Sequence, residues 1–239
     1  MIKLAVSGCQ GRMGQRITDM ALGDKDFKIA ALLEHRDHPK IKEKINGLGI
    51  SSDASVLKGC DVLIEFTTPE ATLQNLEACV KNSVNIVIGT TGLTDDQIKK
   101  IKAASDKIGV VFSSNMSVGV NLLFKLTELT GSKTAKNYTI NMTEAHHIHK
   151  KDAPSGTAKT LAQIAEAASG QKVKDIKSIR EGEIIGDHTV IFESEEDVIT
   201  LTHHAKTRDI FAKGALVAAK FLSKKSKGLF NMQDVLGLK

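Results

Sequence analysis

Three histidines and two lysines crowd one stretch of the chain, Glu144–Thr157, which reads EAHHIHKKDAPSGT. Histidine can give up a proton near neutral pH, and lysine supplies a fixed positive charge or a second proton. The end of the stretch, Pro154–Thr157, opens a predicted amphipathic helix whose free backbone N–H groups can hold a carboxylate. These residue types in this order indicate a pocket that binds a small dianion and protonates it.

Two other interpretations of this stretch stay open on the residues alone. His146, His147 and His149 can supply nitrogen ligands to a metal ion. The adjacent lysines disfavour a divalent cation, and no cysteine or acidic partner stands at ligand spacing, so we expect no metal. A solvated basic loop without a ligand is the remaining interpretation.

A glycine-rich segment near the start of the chain suits a different ligand. Gly8–Gly14 reads GCQGRMG and lies between a predicted strand, Ile2–Val6, and a predicted helix, Arg12–Leu22. Glycine allows a tight turn in which backbone N–H groups approach a pyrophosphate at the helix start. Glu34 ends the next predicted strand about 20 residues later, where an acidic residue binds the adenosine ribose. The alternatives are a plain turn for the glycine segment and a solvated strand end for Glu34. The presence of both features at this spacing favours a nicotinamide cofactor.

The residues around Glu34 bear on which cofactor is used. Its carboxylate should repel the 2′-phosphate of NADPH, which favours NADH. His35 and Arg36 follow directly and can offset that negative charge. The sequence therefore predicts NADH, with use of both cofactors left open.

Three short polar segments directly follow predicted strands. They are Phe66–Pro69 (FTTP), Gly89–Gly92 (GTTG) and Ser113–Met116 (SSNM). In a doubly wound sheet the ligand crevice lies outside the carboxyl ends of the strands. We therefore expect the three segments to line one crevice, at the nicotinamide half of the cofactor.

The elements that must position these residues change character along the chain. In the first half, apolar runs rich in Val and Ile alternate with amphipathic stretches, which predicts a parallel, doubly wound α/β sheet. The predicted strands are Ile2–Val6, Ile29–Leu33, Val62–Phe66, Val84–Ile88 and Val110–Phe112. The predicted helices are Arg12–Leu22, Glu70–Lys81 and Thr94–Ile108, with Thr94 as an N-cap residue.

After about Val118 alternating strands predict a mostly antiparallel sheet with one covered face, and hence an α+β region. Its predicted strands are Tyr138–Ala145, Ile176–Arg180, Thr189–Glu193 and Val198–His203. Its predicted helices are Val120–Leu129 and Ser155–Ala168, and a further helix, Gly214–Ser223, precedes the tail.

Composition narrows the functional classes. The 239 residues are 41% hydrophobic and 26% charged, as in an ordinary globular protein, and no apolar run is long enough for a membrane span. The net charge of +5 is spread along the chain, and 4% aromatic residues give little for bases to stack on, so we expect no nucleic-acid partner. Three cysteines without recognisable spacing favour the reducing cytoplasm.

Several motifs occur together in one known family. They are Gly8–Gly14 (GCQGRMG), Gly89–Gly92 (GTTG), Asn115–Asn121 (NMSVGVN), Glu144–Ala158 (EAHHIHKKDAPSGTA), Ile179–Thr189 (IREGEIIGDHT) and Gly228–Leu236 (GLFNMQDVL). On these motifs the chain resembles the dihydrodipicolinate reductases, also called 4-hydroxy-tetrahydrodipicolinate reductases, over nearly its whole length. The resemblance implies NAD(P)H-dependent reduction of a small dicarboxylate on the route to diaminopimelate and lysine.

The resemblance also implies roles for individual residues. His146 matches the proton donor and Lys150 the second catalytic residue, while His147, Gly156 and Thr157 match positions that hold the substrate. The implied cofactor-binding residues are Gly8, Cys9, Gln10, Gly11, Arg12, Met13, Glu34, His35, Gly89, Thr90, Thr91, Ser113, Ser114, Asn115 and Met116.

The implied architecture is a Rossmann domain, residues 1–117 completed by 208–239, and an α+β domain, residues 118–207, that binds substrate and builds a homotetramer. Two positions depart from the family pattern. His35 replaces an arginine of some members, which weakens the case for NADPH. Ile148 stands where many members have arginine. Another Rossmann-type oxidoreductase, or a non-catalytic NAD-sensing module, remains as an alternative.

Overall fold

A computed structural model describes residues 1–134 and 137–238 of the chain. These residues form two units, each with its own hydrophobic core. The first comprises residues 1–117 and 211–237, and the second comprises residues 118–210 with Leu238. Ala135, Lys136 and Lys239 fall inside the predicted domain ranges but lie outside the described residues.

Up to residue 134 the described strands and helices alternate, except that three strands follow one another between residues 27 and 51. The strands are β1 (Ile2–Ser7), β2 (Phe27–Leu33), β3 (Lys44–Ile45), β4 (Leu48–Ser51), β5 (Val62–Glu65), β6 (Asn85–Ile88), β7 (Gly109–Phe112), β8 (Thr139–His146), β9 (Asp175–Arg180), β10 (Asp187–Glu193), β11 (Val198–His204) and β12 (Gly228–Phe230). The α-helices are α1 (Arg12–Leu22), α2 (Pro69–Asn82), α3 (Asp95–Ala104), α4 (Val118–Thr134), α5 (Gly156–Ser169), α6 (Asp209–Leu222) and α7 (Met232–Leu236). None of these helices combines the length and the apolar character that crossing a membrane requires.

The sheet of the first unit is covered on both faces. Its order, across the described strands, is β12-β7-β6-β5-β1-β2-β4-β3, and every pair except β3–β4 is parallel. Alternate residues of β1 enter opposite cores: Leu4 and Val6 pack on one side, and Ala5 on the other. Strand order reverses between β1 and β5, so the ligand crevice of such a sheet lies at the carboxyl ends of these strands.

The sheet of the second unit has the order β11-β10-β8-β9 in the described chain, with antiparallel pairs except for β8–β9. Helices α4 and α5 pack against it. Ile140 and Met142 point from β8 into this core, and with the strand period of two Glu144 and His146 continue the same face. The covered face is therefore apolar at one end and carries ionisable side chains at the other.

The predicted fold class, a doubly wound parallel sheet plus an α+β region, is confirmed. Three helices differ from their predictions at one end: α4 ends at Thr134 instead of Leu129, α6 begins at Asp209 instead of Gly214, and α3 ends at Ala104 instead of Ile108. The amide N–H groups of Lys107 and Ile108 both turn back to the carbonyl of Ala104, and buried Ile108 leads directly into β7. Sequence reasoning missed β3, β4 and β12, since strands of two to four residues are too short to show a period.

Candidate active site

The loop between β1 and α1 requires glycine at two positions. Gly8 has a positive φ of 72°, and a Cβ there would lie 2.5 Å from the carbonyl oxygen of Phe66. A Cβ on Gly14 would lie only 2.0 Å from the carbonyl oxygen of Gly8. The glycines therefore let the loop fold closely against the helix start and against the neighbouring strand end.

The backbone donors of this loop divide into two groups. The N–H groups of Gly8 and Cys9 donate to the carbonyl of Leu33, at 3.0 and 3.2 Å, and so hold the loop against β2. Gly11 is the N-cap residue of α1 and has no side chain to occupy the first-turn N–H groups. The donors suited to a pyrophosphate are therefore those of the first turn, where Arg12 and Met13 stand, while Gly8 and Cys9 shape the loop.

Cys9 contributes backbone rather than thiol chemistry. Its side chain is fully buried in the core. Burial, with a smaller contribution from the negative charge of Glu34, raises the pKa of the Cys9 thiol to about 12. The thiol is therefore protonated and unreactive at neutral pH.

Glu34 is held in place by the loop. The N–H group of Gln10 donates to Oε2 and the N–H group of His35 to Oε1, each at 2.9 Å. The ring of His35 is mostly exposed, and its Nδ1 lies 3.6 Å from Asp37. A fixed carboxylate thus stands beside the nucleotide loop, and the adjacent histidine has an acidic neighbour of its own.

A second glutamate, which sequence reasoning did not single out, joins two of the crevice loops. Glu65 ends β5 and is fully buried. Its carboxyl group accepts hydrogen bonds from the hydroxyls of Thr67 (2.6 Å), Thr90 (3.0 Å) and Thr72 (3.0 Å). The N–H group of Thr67 donates to Thr90 Oγ1 at 2.8 Å, so the loops after β5 and β6 are tied together. Burial raises the pKa of Glu65, and the hydroxyl donors only partly oppose this.

Gly89 and Phe66 fix the spacing of the same two loops. A Cβ on Gly89 would lie 2.2 Å from Cζ of the Phe66 ring, so the ring packs directly on this glycine. Thr90 is buried and Thr91 is exposed. The pair of threonines therefore presents one inward hydroxyl, used by Glu65, and one outward side chain.

The segment after β7 is mostly self-bonded. Ser113 Oγ donates to the carbonyl of Asn115 at 3.1 Å, and Asn115 Oδ1 accepts from the N–H group of Ser117 at 2.8 Å. Ser114 is exposed, whereas the side chain of Met116 is buried in the core. Met116 therefore offers backbone and not side-chain contacts to a ligand.

The second unit brings together a buried glutamate, a histidine and an arginine. Glu144 is 1% exposed and His146 8% exposed. Glu144 Oε2 accepts from His146 Nδ1 at 2.5 Å, and Oε1 accepts from Arg180 Nη2 at 2.7 Å. An ionised carboxylate can only accept, so Nδ1 of His146 carries a hydrogen.

Strand register assembles this cluster. Across β8 and β10 Glu144 pairs with His188, and across β8 and β9 His146 pairs with Arg180. His188 packs edge-on against the His146 ring, with centroids 5.1 Å apart, and its Nε2 lies 3.2 Å from Ser155 Oγ. The side chains therefore come from three adjacent strands and from the start of α5.

The pKa directions in this cluster follow from burial and charge. Burial alone would raise the pKa of Glu144, but hydrogen bonds from Arg180, Ser178 and His146 outweigh it and lower that pKa. Burial lowers the pKa of His146, although the bond to Glu144 opposes this. Burial, with the nearby His146, lowers the pKa of His188 to about 3. Glu144 is therefore ionised at neutral pH, and both histidine rings are neutral.

The second nitrogen of His146 faces a small gap beside a glycine. A Cβ on Gly186 would lie 3.1 Å from His146 Nε2 and 3.7 Å from Cε1 of His188. The absence of a side chain at Gly186 therefore leaves the space beside this nitrogen unfilled. With Nδ1 committed to Glu144, Nε2 is the atom through which His146 can exchange a proton.

Lys150 lies in the loop that follows β8. Its Nζ is 2.7 Å from Asp152 Oδ1, and its side chain is 24% exposed. His147, in the same loop, has a buried Nδ1 without a hydrogen-bond partner among the described residues. Its ring lies beside that of the exposed His149, with the ring centroids 6.0 Å apart.

Helix α5 begins where the sequence predicted it. Ser155 is the N-cap residue, and its hydroxyl accepts from the N–H group of Ala158 at 3.1 Å. Gly156 is exposed and Thr157 is buried. A Cβ on Gly156 would meet nothing within 4 Å, so this first helical position is open toward a ligand.

The structure offers a different candidate metal cluster from the three histidines weighed in the sequence. Ligand atoms of Glu144, His146 and His188 lie within 4.8 Å of one another. Both carboxylate oxygens of Glu144 already accept hydrogen bonds, one of them from the cation Arg180. The donor set is therefore satisfied as a hydrogen-bonded cluster, and the absence of a metal remains our prediction.

Four residues of these sites received no role in the sequence prediction, although all but the first lie within the motifs that carry the resemblance: Glu65, Glu144, Arg180 and His188. One signal could have found Glu144, because residues two apart on a strand share a face, and His146 was already selected. Arg180 and His188 reach the site only through strand pairing, which the sequence does not display.

Comparison with known proteins places both units in one family. The model of the dihydrodipicolinate reductase N-terminus matches residues 2–116, and the model of the C-terminus matches residues 119–236. The chain is 40% identical to a 4-hydroxy-tetrahydrodipicolinate reductase of Paraburkholderia phymatum in an alignment 265 positions long, which covers all of both chains. It is 41% identical to the enzyme of the same name from Nitrosomonas eutropha, covering all of this chain and 99% of the relative.

Among solved structures, the chain is similar to a dipicolinate-bound dihydrodipicolinate reductase from Paenisporosarcina sp. TG-14. The TM-score is 0.83 with 24% sequence identity, and the match covers 98% of each chain. At this identity the likeness supports the fold.

Proposed function

The chain belongs to the dihydrodipicolinate reductase family, and from this premise we propose that it reduces 4-hydroxy-tetrahydrodipicolinate to tetrahydrodipicolinate with NAD(P)H. The reaction is a step in the biosynthesis of diaminopimelate and lysine. The observation that carries the proposal is the buried Glu144–His146 pair, with Lys150 in the adjoining loop.

The nucleotide loop suits a dinucleotide cofactor. Gly8 and Gly14 permit close packing that no side chain would allow, and Gly11 leaves the first-turn donors of α1 uncovered. Bound NAD(P)H supplies a hydride to the unsaturated ring of the substrate. We assign the further cofactor contacts to Gly89–Thr91 and Ser113–Met116, at the carboxyl ends of β6 and β7.

His146 is the proposed proton donor. In the free protein its Nδ1–H bond points to Glu144, and Nε2 faces the gap beside Gly186. Burial keeps the ring neutral, so the ring must take up a proton before it can give one from Nε2. A dianion that binds nearby favours the charged imidazolium and so promotes this uptake.

The proposed protonation of His146 can therefore be tested by measuring proton uptake on ligand binding, without turnover. Calorimetric titration with dipicolinate, in buffers of different ionisation enthalpy, should show net proton uptake at pH 7. The uptake should disappear in His146→Gln. Binding without uptake would contradict the proposed state of His146.

The substrate carboxylates require positive charge and backbone donors. We assign them to Lys150, to the unpartnered nitrogen of His147, and to the start of α5 at Gly156 and Thr157. The relative from Paenisporosarcina was solved with dipicolinate bound, a dicarboxylate of the chemistry that such a pocket would select.

Glu34 supports a preference for NADH. Two backbone N–H groups hold its carboxylate beside the nucleotide loop, and His35 lies near Asp37, which disfavours a 2′-phosphate. Glu34→Gln should raise the ratio of NADPH to NADH activity. An unchanged ratio would show that Glu34 does not select the cofactor.

We further propose a homotetramer in the cytoplasm. Exposed apolar side chains of α4, at Leu122, Leu126 and Leu129, give a surface that a second copy would bury. All three cysteines are free and buried, as suits a reducing compartment. Light scattering of the purified protein measures the oligomeric state directly.

The reaction itself is tested by the fall in nicotinamide absorbance, with substrate made in situ by the preceding synthase from pyruvate and aspartate semialdehyde. NADH and NADPH are compared side by side. Oxidation should require both the synthase and this protein. Cofactor binding without oxidation would leave the fold intact and point to an NAD-sensing module, whereas oxidation with other carbonyl substrates alone would indicate a different oxidoreductase.

A further inference from the structure

Arg180, the last residue of β9, is at the centre of the hydrogen bonds around the proposed proton donor. Its guanidinium donates from Nη2 to Glu144 Oε1 at 2.7 Å and to the carbonyl of Asp152 at 2.5 Å. Nε donates to the carbonyl of Lys150 at 3.3 Å, and Nη1 to the carbonyl of Ile179 at 2.7 Å. Every nitrogen of this side chain is therefore used.

These bonds connect two parts of the site that are separate in the sequence. Nη2 joins Glu144, on the strand that also carries His146, to the carbonyl of Asp152. Nε holds the carbonyl of Lys150, on the other side of Lys151, and Asp152 Oδ1 in turn binds the amine of Lys150 at 2.7 Å. The position of the Lys150 amine relative to the Glu144–His146 pair thus depends on Arg180.

Arginine suits this task for a geometric reason. Its five donors form a rigid planar fork, so one side chain can satisfy acceptors that lie in different directions. A lysine in its place would keep the charge but would present a single flexible ammonium group. Charge and geometry can therefore be separated by substitution.

The charges around His146 are few. Those that act on it are the carboxylate of Glu144 and the cations Lys150 and Arg180, and the neutral ring of His188 packs against it. Both cations disfavour protonation of His146, while Glu144 favours it. Removing the Arg180 charge should therefore make His146 easier to protonate.

We propose that Arg180 is a positioning residue for the reduction, which holds the Lys150 loop in register with the Glu144–His146 pair through its fork of hydrogen bonds. This inference rests on the proposed function, since it is through His146 and Lys150 that Arg180 would act. It requires the four bonds of the guanidinium, not merely a positive charge at this place.

The test compares Arg180→Lys and Arg180→Gln with Lys177→Gln. Lys177 lies on the same strand and is exposed, so its variant removes one cation without touching the site. Three quantities are measured for each: kcat and KM with NADH, the NMR titration of His146 in the free protein, and hydrogen exchange of the Lys150 amide, which donates to the carbonyl of His147.

Arg180→Lys should lower kcat about 10- to 100-fold, with KM for NADH unchanged, and should speed exchange of the Lys150 amide. Its His146 titration should stay as in the native chain, because the charge is kept. Arg180→Gln should lower kcat at least as far and should move the His146 midpoint to higher pH. Lys177→Gln should change none of the three.

The outcomes separate this inference from the proposed reaction. Native kcat and slow exchange in Arg180→Lys would overturn the inference while the reductase activity stands. A loss of kcat in Arg180→Lys that comes with a moved His146 midpoint would equally overturn it, because an altered charge environment and not the lost fork would then explain the loss. If the native chain proves inactive toward the proposed substrate, the two readouts in the free protein still report on Arg180, and only the reaction is lost. Should Arg180→Gln fail to fold, the lysine variant decides.

Discussion

Two buried glutamates near the carboxyl ends of strands illustrate how the two units differ. Glu65 in the first unit is fully buried, and Glu144 in the second is 1% exposed. Glu65 is surrounded by three threonine hydroxyls, whereas Glu144 is bonded to an arginine and a histidine. Their pKa values shift in opposite directions, raised for Glu65 and lowered for Glu144.

Burial disfavours the ionised form of both carboxyls, and their hydrogen-bond partners differ in charge. Hydroxyl groups donate hydrogen bonds but bring no positive charge, so burial prevails at Glu65. A guanidinium brings both, so Glu144 remains an anion in the interior. The first unit thus uses a glutamate to tie loops together, and the second uses one to orient a ring that exchanges protons.

The largest effect should come from His146→Gln, compared with Thr90→Val in the other unit. The histidine variant should lower kcat by about 10²- to 10⁴-fold with little change in NADH affinity, because it removes only the proton donor. The Thr90 variant should instead weaken NADH binding, because it releases the loop bond to Thr67. Equal losses of kcat and cofactor affinity in His146→Gln would contradict the assignment of this residue as the acid.

Glu144→Gln should have the second-largest effect on kcat, and it should act through His146. The amide can donate to Nδ1, which stabilises the neutral ring with its hydrogen on Nε2, so the pKa of His146 should fall further. We expect kcat at pH 7 to drop about 10- to 100-fold and to recover partly at lower pH. The pH profile is the measurement, and a profile identical in shape to that of the native chain would count against the role of Glu144.

The pH dependence of stability should differ in sign between the units. The pKa of His188 falls from 6.5 to about 3 on folding, so its contribution is complete above pH 6.5 and is lost as the pH falls below that value. Each pH unit below 6.5 should cost the second unit roughly 1.4 kcal/mol. Glu65, with a raised pKa, contributes fully below its ordinary value of 4.5 and loses stability as the pH rises through its folded pKa.

Hydrogen exchange of core amides, measured in each unit between pH 7 and pH 5, checks this directly. Protection in the second unit should weaken on acidification, and protection around Glu65 should not. Glu65→Gln should remove the contribution of that residue and flatten the response of the first unit. If protection changed in the same direction in both units, the hydrogen-bond partners of Glu65 and His188 would not determine the direction of their pKa shifts.

The smallest effect should be that of Glu65→Gln on activity. A carboxyl group and an amide have similar shape, and the amide can accept from one threonine hydroxyl while donating to another. We expect KM for NADH to change less than about threefold and kcat to stay as it is. A loss comparable to that of Glu144→Gln would show that Glu65 works as an anion and would remove the contrast between the two glutamates.

Much of this molecule could be predicted from its residues, for reasons that differ by region. The nucleotide loop is local in sequence, since Gly8 and Gly14 and the strand and helix beside them are neighbours along the chain. The histidine stretch is local as well, and His146 was selected within it. Glu34 could be found because its distance from the loop follows from one strand–helix–strand unit.

What could not be predicted depends on pairing between distant strands. Arg180 and His188 meet Glu144 and His146 only through the register of β9 and β10 on β8. A shift of one residue in either pairing would turn these side chains to the opposite face. Similarly, the role of Glu65 became visible only when β5 and β6 placed Thr90 beside Thr67.

The return of the chain to the first unit has a consequence for synthesis on the ribosome. Strand β12 pairs with β7, and buried residues of α6 and α7 complete the first core, although residues 118–210 come between. The second unit is contiguous and can close as soon as residue 210 has emerged, while the first waits with an open sheet edge for the last residues. The part of the chain made first is therefore finished last. A ribosome-bound chain stalled once residue 210 has left the exit tunnel should resist protease in its second unit and be cleaved in its first.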